Sequence, residues 1–221
     1  MKPNSKKDLV KCLLCSSNDH EFFFRDKFRA YRRCNVCSII FVPMEFHVSK
    51  ENEKARYEEH NNDSDDIRYR EFLERITIPI KSRFTKGAKG LDFGCGSTNL
   101  LADVFRESGF EMEVYDPFYE IDKSVLSKKY DFIVSTEVVE HLNNPLPEFE
   151  KLFAMLKANG VLGVMTRIFD DSIDFKTWHY KNDRTHIGFY SIETFDWLAK
   201  YFGVKYSQIE SDIFVFESNK L

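Results

Sequence analysis

The sequence predicts an α/β fold, a doubly wound and mostly parallel sheet preceded by a small cysteine-bearing module. Three observations carry this expectation. From Lys86 onward, apolar strand-like runs alternate with helical segments, the pattern of βαβ units. The run "KGLDFGCG" at 89–96 ends in a glycine turn and leads into a helical segment. Four of the five cysteines fall in two Cys-x-x-Cys pairs near the start of the chain.

The length of 221 residues, with 43% hydrophobic and 15% aromatic content, suits one sizeable core with a small module attached. A formal net charge of −4 excludes a molecule that binds nucleic acid by overall charge. No stretch approaches the ~18 apolar residues that span a bilayer, and no apolar leader follows Met1. A cytoplasmic protein with reduced thiols and no membrane partner is expected.

The first module covers 8–47. Its two cysteine pairs, Cys12/Cys15 and Cys34/Cys37, stand eighteen residues apart, a spacing that fits a structural zinc site. Four thiolates close a tetrahedron around one Zn2+ and leave no open position for catalysis. The aromatic stretch between the pairs suits a hairpin, and so small a module draws much of its folding free energy from the metal. The phenylalanines of "EFFFRDKF" are assigned to its core.

Residues 48–85 read as a helical connector. "SKENEKARYEEH" is rich in charged helix formers, and Ile67, Phe72, Leu73, Ile76 and Ile80 recur near helical spacing. "NNDSDD" reads as a break, and Pro79 as a kink or an end.

The second module, 86–221, supplies the sheet. "KGLDFGCG" is its first strand, "NLLADVFRESG" a helix closed by Gly109, and "FEMEVYDP" a strand halted by proline. "YDFIVSTEVVEHL" is a strand running into a loop, "PLPEFEKLFAMLKANG" an amphipathic helix, and "VLGVMTRIF" a buried strand. "SIETFDWLAKYFG" is a helix capped by serine, and "VKYSQIES" and "IFVFES" close the chain as strands.

In an open α/β sheet, ligands bind beyond the carboxyl ends of the strands. Gly94 and Gly96 sit at that end of the first strand, where glycine lets a ligand approach the backbone and the next helix offers free N–H groups. Asp116 ends the next strand, twenty residues beyond Gly96, where a carboxylate can accept from ribose hydroxyls. Together they point to a nucleoside cofactor. A nicotinamide oxidoreductase is disfavoured, because Ser97, Thr98 and Asn99 follow Gly96 and the third glycine of the dinucleotide fingerprint is absent. Asp92, just before the turn, is placed to face a cationic aminoacyl group.

"LDFGCG", "VYDP", "YDFIVSTEVVEHL", "LKANGVLGVMT" and "WHYKNDRTHIGFYSIETF", in this order, resemble a class I S-adenosylmethionine-dependent methyltransferase with a Rossmann-like sheet. The resemblance is particularly to small bacterial members that carry an N-terminal four-cysteine zinc ribbon. It implies that Asp92, Gly94 and Gly96 hold the methionine moiety and that Asp116 holds the ribose. It also implies that Thr136, Glu137, Val138 and His141 border cofactor and substrate, with S-adenosylhomocysteine as product. The chain departs from the family at Ser97 and Thr98, whose hydroxyls are candidates for the aminoacyl carboxylate. Only fourteen residues separate Asp116 from Asp131, too few for the usual helix, strand and helix. A shortened sheet edge is expected, with adenine against Phe118 and Tyr119 and with Asp122 as a polar contact.

Methyl transfer needs alignment, exclusion of water and, for a protonated nucleophile, a base. His186 and His179 are candidate bases in "WHYKNDRTHIGFY", with Asp183 as an orienting partner and His141 as a further candidate. Tyr57, His60 and Tyr69 are candidates for a lid over the sulfonium. Trp178, Trp197 and Cys95 are assigned to packing. The expected function is methyl transfer to an unidentified acceptor, whether small molecule, RNA or protein. The mildly basic first module gives RNA only weak support. The alternative is a non-catalytic S-adenosylmethionine-binding module whose ribbon serves as a docking surface.

Overall fold

The computed structural model describes residues 10–58 and 67–218. The "NNDSDD" break and His60 lie outside them. Two sheets organise the rest. The larger has six strands: β4 (Lys89–Phe93), β5 (Glu111–Tyr115), β6 (Tyr130–Thr136), β7 (Leu156–Met165), β9 (Lys205–Glu210) and β10 (Ile213–Glu217). Their order is β5-β4-β6-β7-β10-β9, with β5, β4, β6 and β7 parallel and the last two antiparallel. Both faces of the sheet are covered, which is why β6 and β7 read as nearly continuous apolar runs.

Helix α2 (Ile67–Lys81) and helix α3 (Leu100–Glu107) cover one face, and α4 (Pro145–Met155) and α5 (Ile192–Phe202) pack into the core on the other. The apolar stripe of α2, Leu73, Ile76 and Ile80, is buried and meets Gly163 of β7, where an added Cβ would lie 3.2 Å from Ile80. Part of the segment read as a connector is thus a layer of the sheet. Helix α5 starts at a capping box made by Ser191, the expected cap, and Thr194, and ends at Gly203 in the left-handed conformation.

The sheet edge is shortened as expected. Between Asp116 and β6 the chain forms only one 3-10 turn, Lys123–Ser127, and β5 is left as an edge. Asp122 caps that turn, accepting from the Ser124 N–H and hydroxyl, each at 2.8 Å. Each of its oxygens thus holds one bond within the turn.

The smaller sheet runs β1 (His20–Arg25), β2 (Ala30–Cys34), β3 (Ile40–Phe41) and β8 (Gly188–Phe189). The first two strands are the hairpin expected between the cysteine pairs. The fourth comes from the other end of the chain, through pairs Ile40–Phe189 and Phe41–Gly188. Cysteines 12, 34 and 37 lie in one apolar cluster with Leu91 and Ile133 of the large sheet. The cysteine module therefore has no isolated core. Phe23 and Phe24 pack as assigned, whereas Phe22 and Phe28 are exposed.

Arg29 welds the two parts together. It is 1% exposed, and all five of its N–H donors are used. Nε donates to the Tyr31 hydroxyl at 2.8 Å, Nη1 to the Arg184 and His186 carbonyls at 3.0 and 2.8 Å, and Nη2 to those of Lys181 and Asp183 at 2.5 and 2.8 Å. Tyr31 passes the hydrogen bond on to Asp26 at 2.8 Å. Replacing Arg29 by methionine keeps the bulk and strips the donors from four carbonyls. The expected loss is about 3–5 kcal/mol, or roughly 10 °C in melting temperature, measured by thermal unfolding. A shift under about 2 °C would show that the carbonyls find other partners.

Candidate active site

The site is built at the carboxyl ends of β4, β5 and β6. Asp92 is buried in β4, and its Oδ2 has no hydrogen-bond partner. Burial, reinforced by the charge of Asp116, pushes its carboxyl up to about 7. Gly94 and Gly96 have φ of +85° and +67°. The two glycines serve different ends. A Cβ on Gly94 would meet Val138 at 2.4 Å, whereas a Cβ on Gly96 would meet nothing within 4 Å. The space for a ligand therefore lies at Gly96, and Gly94 is filled by protein. No side chain caps the first turn of α3, which begins after Asn99.

Asp116 is 7% exposed and ties two loops together. Its Oδ1 accepts from the Phe118 and Tyr119 N–H at 2.8 and 3.2 Å, and its Oδ2 from the Gly96 N–H at 3.1 Å. With two lone pairs per oxygen, only Oδ2 keeps room for a further donor.

At the end of β6, Ser135 Oγ and Thr136 Oγ1 are also buried without partners. Glu137 follows with φ +53°, its N–H bonded to the Met165 carbonyl at 2.8 Å. Burial and the neighbouring charge of Glu140 push its carboxyl up to about 9. Val138 then fills the notch at Gly94, and a 3-10 turn carries Val139–His141.

That turn meets the loop before β8. Side-chain ligand atoms of Glu140, His141 and His186 lie within 4.8 Å of one another. Glu140 is fully buried and accepts from the Tyr180 hydroxyl at 2.5 Å and the Thr166 hydroxyl at 3.0 Å. Each histidine donates Nδ1–H to a backbone carbonyl, His141 to Thr185 at 3.1 Å and His186 to Tyr180 at 2.7 Å. A carbonyl only accepts, so in the neutral ring each Nε2 carries a lone pair. Burial holds His186 down to about 4, against the charge of Glu140.

Helix α1 (Lys50–Glu58) and α2 lie over this cluster. The Tyr57 ring contacts His141 and Phe118 with centroids at 5.2 and 5.8 Å, and its hydroxyl donates to Glu53 at 2.8 Å. Tyr69 faces the carboxylates of Asp92 and Glu137, which with burial push its phenol up to about 12. Both lid tyrosines thus sit over the region named from sequence.

Other expected residues fall differently. His179 is exposed, its Nε2 bonded to Arg167 at 2.9 Å, and it does not join the cluster. Asp183 does not orient an imidazole through the bonds seen here. Its Oδ1 accepts from the Thr185 N–H and hydroxyl at 2.9 and 2.6 Å, and its Oδ2 from Arg56 at 3.0 Å. The group that fixes His186 is the Tyr180 carbonyl. Ser97 is exposed and Thr98 half-buried beside the opening at Gly96. Cys95 donates to the Gly96 carbonyl at 3.6 Å. Burial, then the charges of Asp92, Asp116 and Glu120, raise its thiol, so the packing role stands but the surroundings are acidic rather than apolar. Trp178 and Trp197 pack as assigned. Glu140, Tyr180, Thr166 and Arg29 were not legible as site residues. Only the Glu-x-x-Glu-His spacing of "EVVEH" hinted at the first.

In the cysteine module, Sγ atoms of Cys12 and Cys37, and of Cys15 and Cys34, are 3.5 Å apart, and all four lie within 4.8 Å. Tetrahedral thiolates at ~2.3 Å from zinc stand about 3.8 Å apart. Ser16 and Ser38, each following a cysteine pair, take φ of +58° and +61° and return their N–H to the first cysteine of the pair at 2.9 and 3.0 Å. The two knuckles are thus alike, as a shared ion requires.

The large sheet is of the open α/β kind, with buried carboxylates at the carboxyl ends of two adjacent parallel strands. Residues 66–209 match the family model described as a methyltransferase domain, and the chain belongs to that family. The domain is that of an S-adenosylmethionine-dependent methyltransferase. No curated protein matches the chain by sequence.

Three solved structures show how the fold is shared. A chain from the complex of the Haloferax volcanii Trm112 methyltransferase activator with a methyltransferase aligns at TM-score 0.54 and 9% identity, over 76% of this chain and 97% of that one. The plantazolicin methyltransferase BpumL, solved with S-adenosylhomocysteine (SAH), aligns at 0.51 and 14%, over 77% and 90%. A candidate sarcosine dimethylglycine methyltransferase from Galdieria sulphuraria aligns at 0.45 and 20%, over 64% of this chain and 63% of that one. This chain spans under two thirds of the Galdieria protein's length, and identities this low show the fold alone. No helix among the described residues is long and apolar enough to cross a membrane.

Because the folded protein holds the Asp92 proton up to about 7, the ligand-free protein loses stability as pH rises from the ordinary carboxylate range toward 7. A cationic amine binds the ionised form. The affinity for S-adenosylhomocysteine is expected to strengthen about tenfold between roughly pH 6 and pH 8. Asp92→Asn should flatten that profile and stabilise the ligand-free protein above pH 7. Calorimetric titration across this range, with melting curves of both proteins, checks the pair of outcomes.

Proposed function

We propose that this chain methylates an acceptor held against His141 and His186, with S-adenosylmethionine at Gly96 and a structural Zn2+ on its four cysteines. The observation that carries the reading is the set of three orphaned buried atoms, Asp92 Oδ2, Ser135 Oγ and Thr136 Oγ1, at the carboxyl ends of two paired parallel strands, with open space at the side-chain position of Gly96. Buried polar atoms are rarely left unpaired unless a ligand or water completes them.

When bound, S-adenosylmethionine supplies an electrophilic methyl on sulfonium. Everything else falls to the protein. Asp92, once ionised, holds the ammonium of the methionine tail. Asp116 offers its remaining Oδ2 lone pair to the ribose, and Phe118 supplies an apolar wall for the base. Tyr57 and Tyr69 shield the centre from water, and their aromatic faces favour a cation. Val138, seated in the Gly94 notch, makes the cofactor side and the histidine side adjacent.

His186 and His141 face the acceptor. A histidine held down to about 4 is a weak base, suited to orienting an acceptor rather than to stripping a hydroxyl unaided. Glu140 is pinned by Tyr180 and Thr166 and stays in place as a fixed acceptor of hydrogen bonds.

Calorimetry separates this reading from its rivals. The full chain should bind S-adenosylhomocysteine, and Asp116→Ala should weaken that binding at least about tenfold. His186→Ala should leave it within about twofold while abolishing release of S-adenosylhomocysteine over a panel of hydroxyl, amine and thiol acceptors. Binding of NAD in place of S-adenosylhomocysteine would overturn the reading, and full turnover by the His186 variant would remove that residue from the chemistry. For the ribbon, elemental analysis should find zinc held by the thiolates. Cys34→Ser should lower the melting temperature and loosen the loop at 180–187, seen as faster amide exchange there.

A further inference from the structure

We propose that Glu140, His141 and His186 form a second metal centre, a mononuclear site for a divalent first-row ion, distinct from the cysteine tetrad. One carboxylate and two imidazoles, with ligand atoms within 4.8 Å of one another, form the donor set that holds such ions with positions open for substrate.

The orientation of the rings favours this reading. Ligating histidines commonly donate their other ring N–H to a backbone carbonyl, which fixes tautomer and direction. Both histidines here do so, to Thr185 and Tyr180, which leaves each Nε2 with a lone pair in the neutral ring. A ring nitrogen of each lies within 4.8 Å of the other's and of a Glu140 oxygen. The carboxylate is prepared in the same way. Glu140 is fully buried, and the Tyr180 and Thr166 hydroxyls each occupy one of its oxygens. A carboxylate has about four lone-pair positions, so both oxygens can still reach an ion.

The surrounding charge is also that of a cation site. Carboxylates of Glu53, Glu140 and Asp183 act together on Tyr57, and Glu140 acts on Glu137. Against them stand Arg56, paired with Asp183, and Arg167, which meets His179. Glu53, Glu140 and Asp183 outnumber the Arg56 guanidinium paired with them, an excess of negative charge that an ion would offset.

The inference deepens the methyl-transfer reading and rests on it for one point, the class of acceptor. An ion with open positions would seat an oxygen acceptor, a hydroxyl or two adjacent ones, and lower its pKa.

The test uses the full chain with its cysteine site loaded with zinc. Co2+ stands below Zn2+ in affinity and does not displace it from thiolates. After equilibrium dialysis against Co2+, zinc and cobalt are counted together. The expected result is one cobalt per chain beside the thiolate zinc. His141→Ala and Glu140→Gln should each weaken cobalt binding at least about tenfold with zinc and the fold retained. His186→Ala is the third variant. Cobalt below roughly a tenth of an equivalent at millimolar metal, or cobalt binding unchanged in both histidine variants, would overturn the inference. S-adenosylhomocysteine titrated on the same samples separates the two readings. Its binding without cobalt uptake sinks the metal centre alone, and cobalt uptake without it sinks the cofactor reading alone.

Discussion

The structure turns on one buried cation whose charge is met by main-chain oxygen. Arg29 lies in the cysteine module, yet four of its five donors reach carbonyls of the loop at 181–186, more than 150 residues away in sequence. A buried guanidinium is costly unless every N–H is matched. Here the matching fixes the backbone of the segment that carries Asp183, Thr185 and His186. The loop has little regular structure of its own, only a short 3-10 turn at His179–Asn182 and the two-residue strand β8. Its shape is imposed from outside, by Arg29 on one side and by pairing with β3 on the other.

This dependence gives the four-cysteine module a structural task beside the methyltransferase domain. It holds the hairpin that carries Arg29 and the edge to which β8 pairs. Tyr190, just past β8, is fully buried and bonds the Val139 carbonyl at 3.2 Å, joining ribbon, loop and the Val139–His141 turn in one core. Through these contacts the module sets the backbone position of the segment that carries His186.

Much of this was legible in sequence, and what was not has a common cause. The glycine turn, Asp92, Asp116, the cysteine spacing and the missing sheet edge are local patterns, readable because periodicity and spacing report on neighbours along the chain. Arg29 reads as one of several basic residues in an aromatic stretch, since nothing near it reveals four carbonyls from another segment. Glu140 reads as a helix-face acid in "EVVEH" until Tyr180 and Thr166 arrive to bury it. His179 and His186 look equivalent in "WHYKNDRTHIGFY", and only the fold decides that one faces solvent and the other the cluster. The notch at Gly94 is similar. The absence of a side chain at Gly94 makes room for Val138, a residue forty-four positions on.

The same chain of contacts reaches the lid. Asp183, placed by the loop and braced by Thr185, pairs with Arg56 of α1, one residue from Tyr57. Burial alone would raise the Asp183 carboxyl, but the bonds from Thr185 and the charge of Arg56 hold it well below the usual range, so it stays ionised. Exposed ion pairs contribute little, but here the carboxylate is largely buried and already oriented, which makes it a fixed anchor for a side chain arriving from a short, polar helix. Helix α1 buries no residue of its own and has almost no apolar face to hold it down. Its position over the site therefore rests on Arg56 at the loop and on Tyr57 against His141 and Phe118. Ribbon, loop and lid form a series in which each part is placed by the one before.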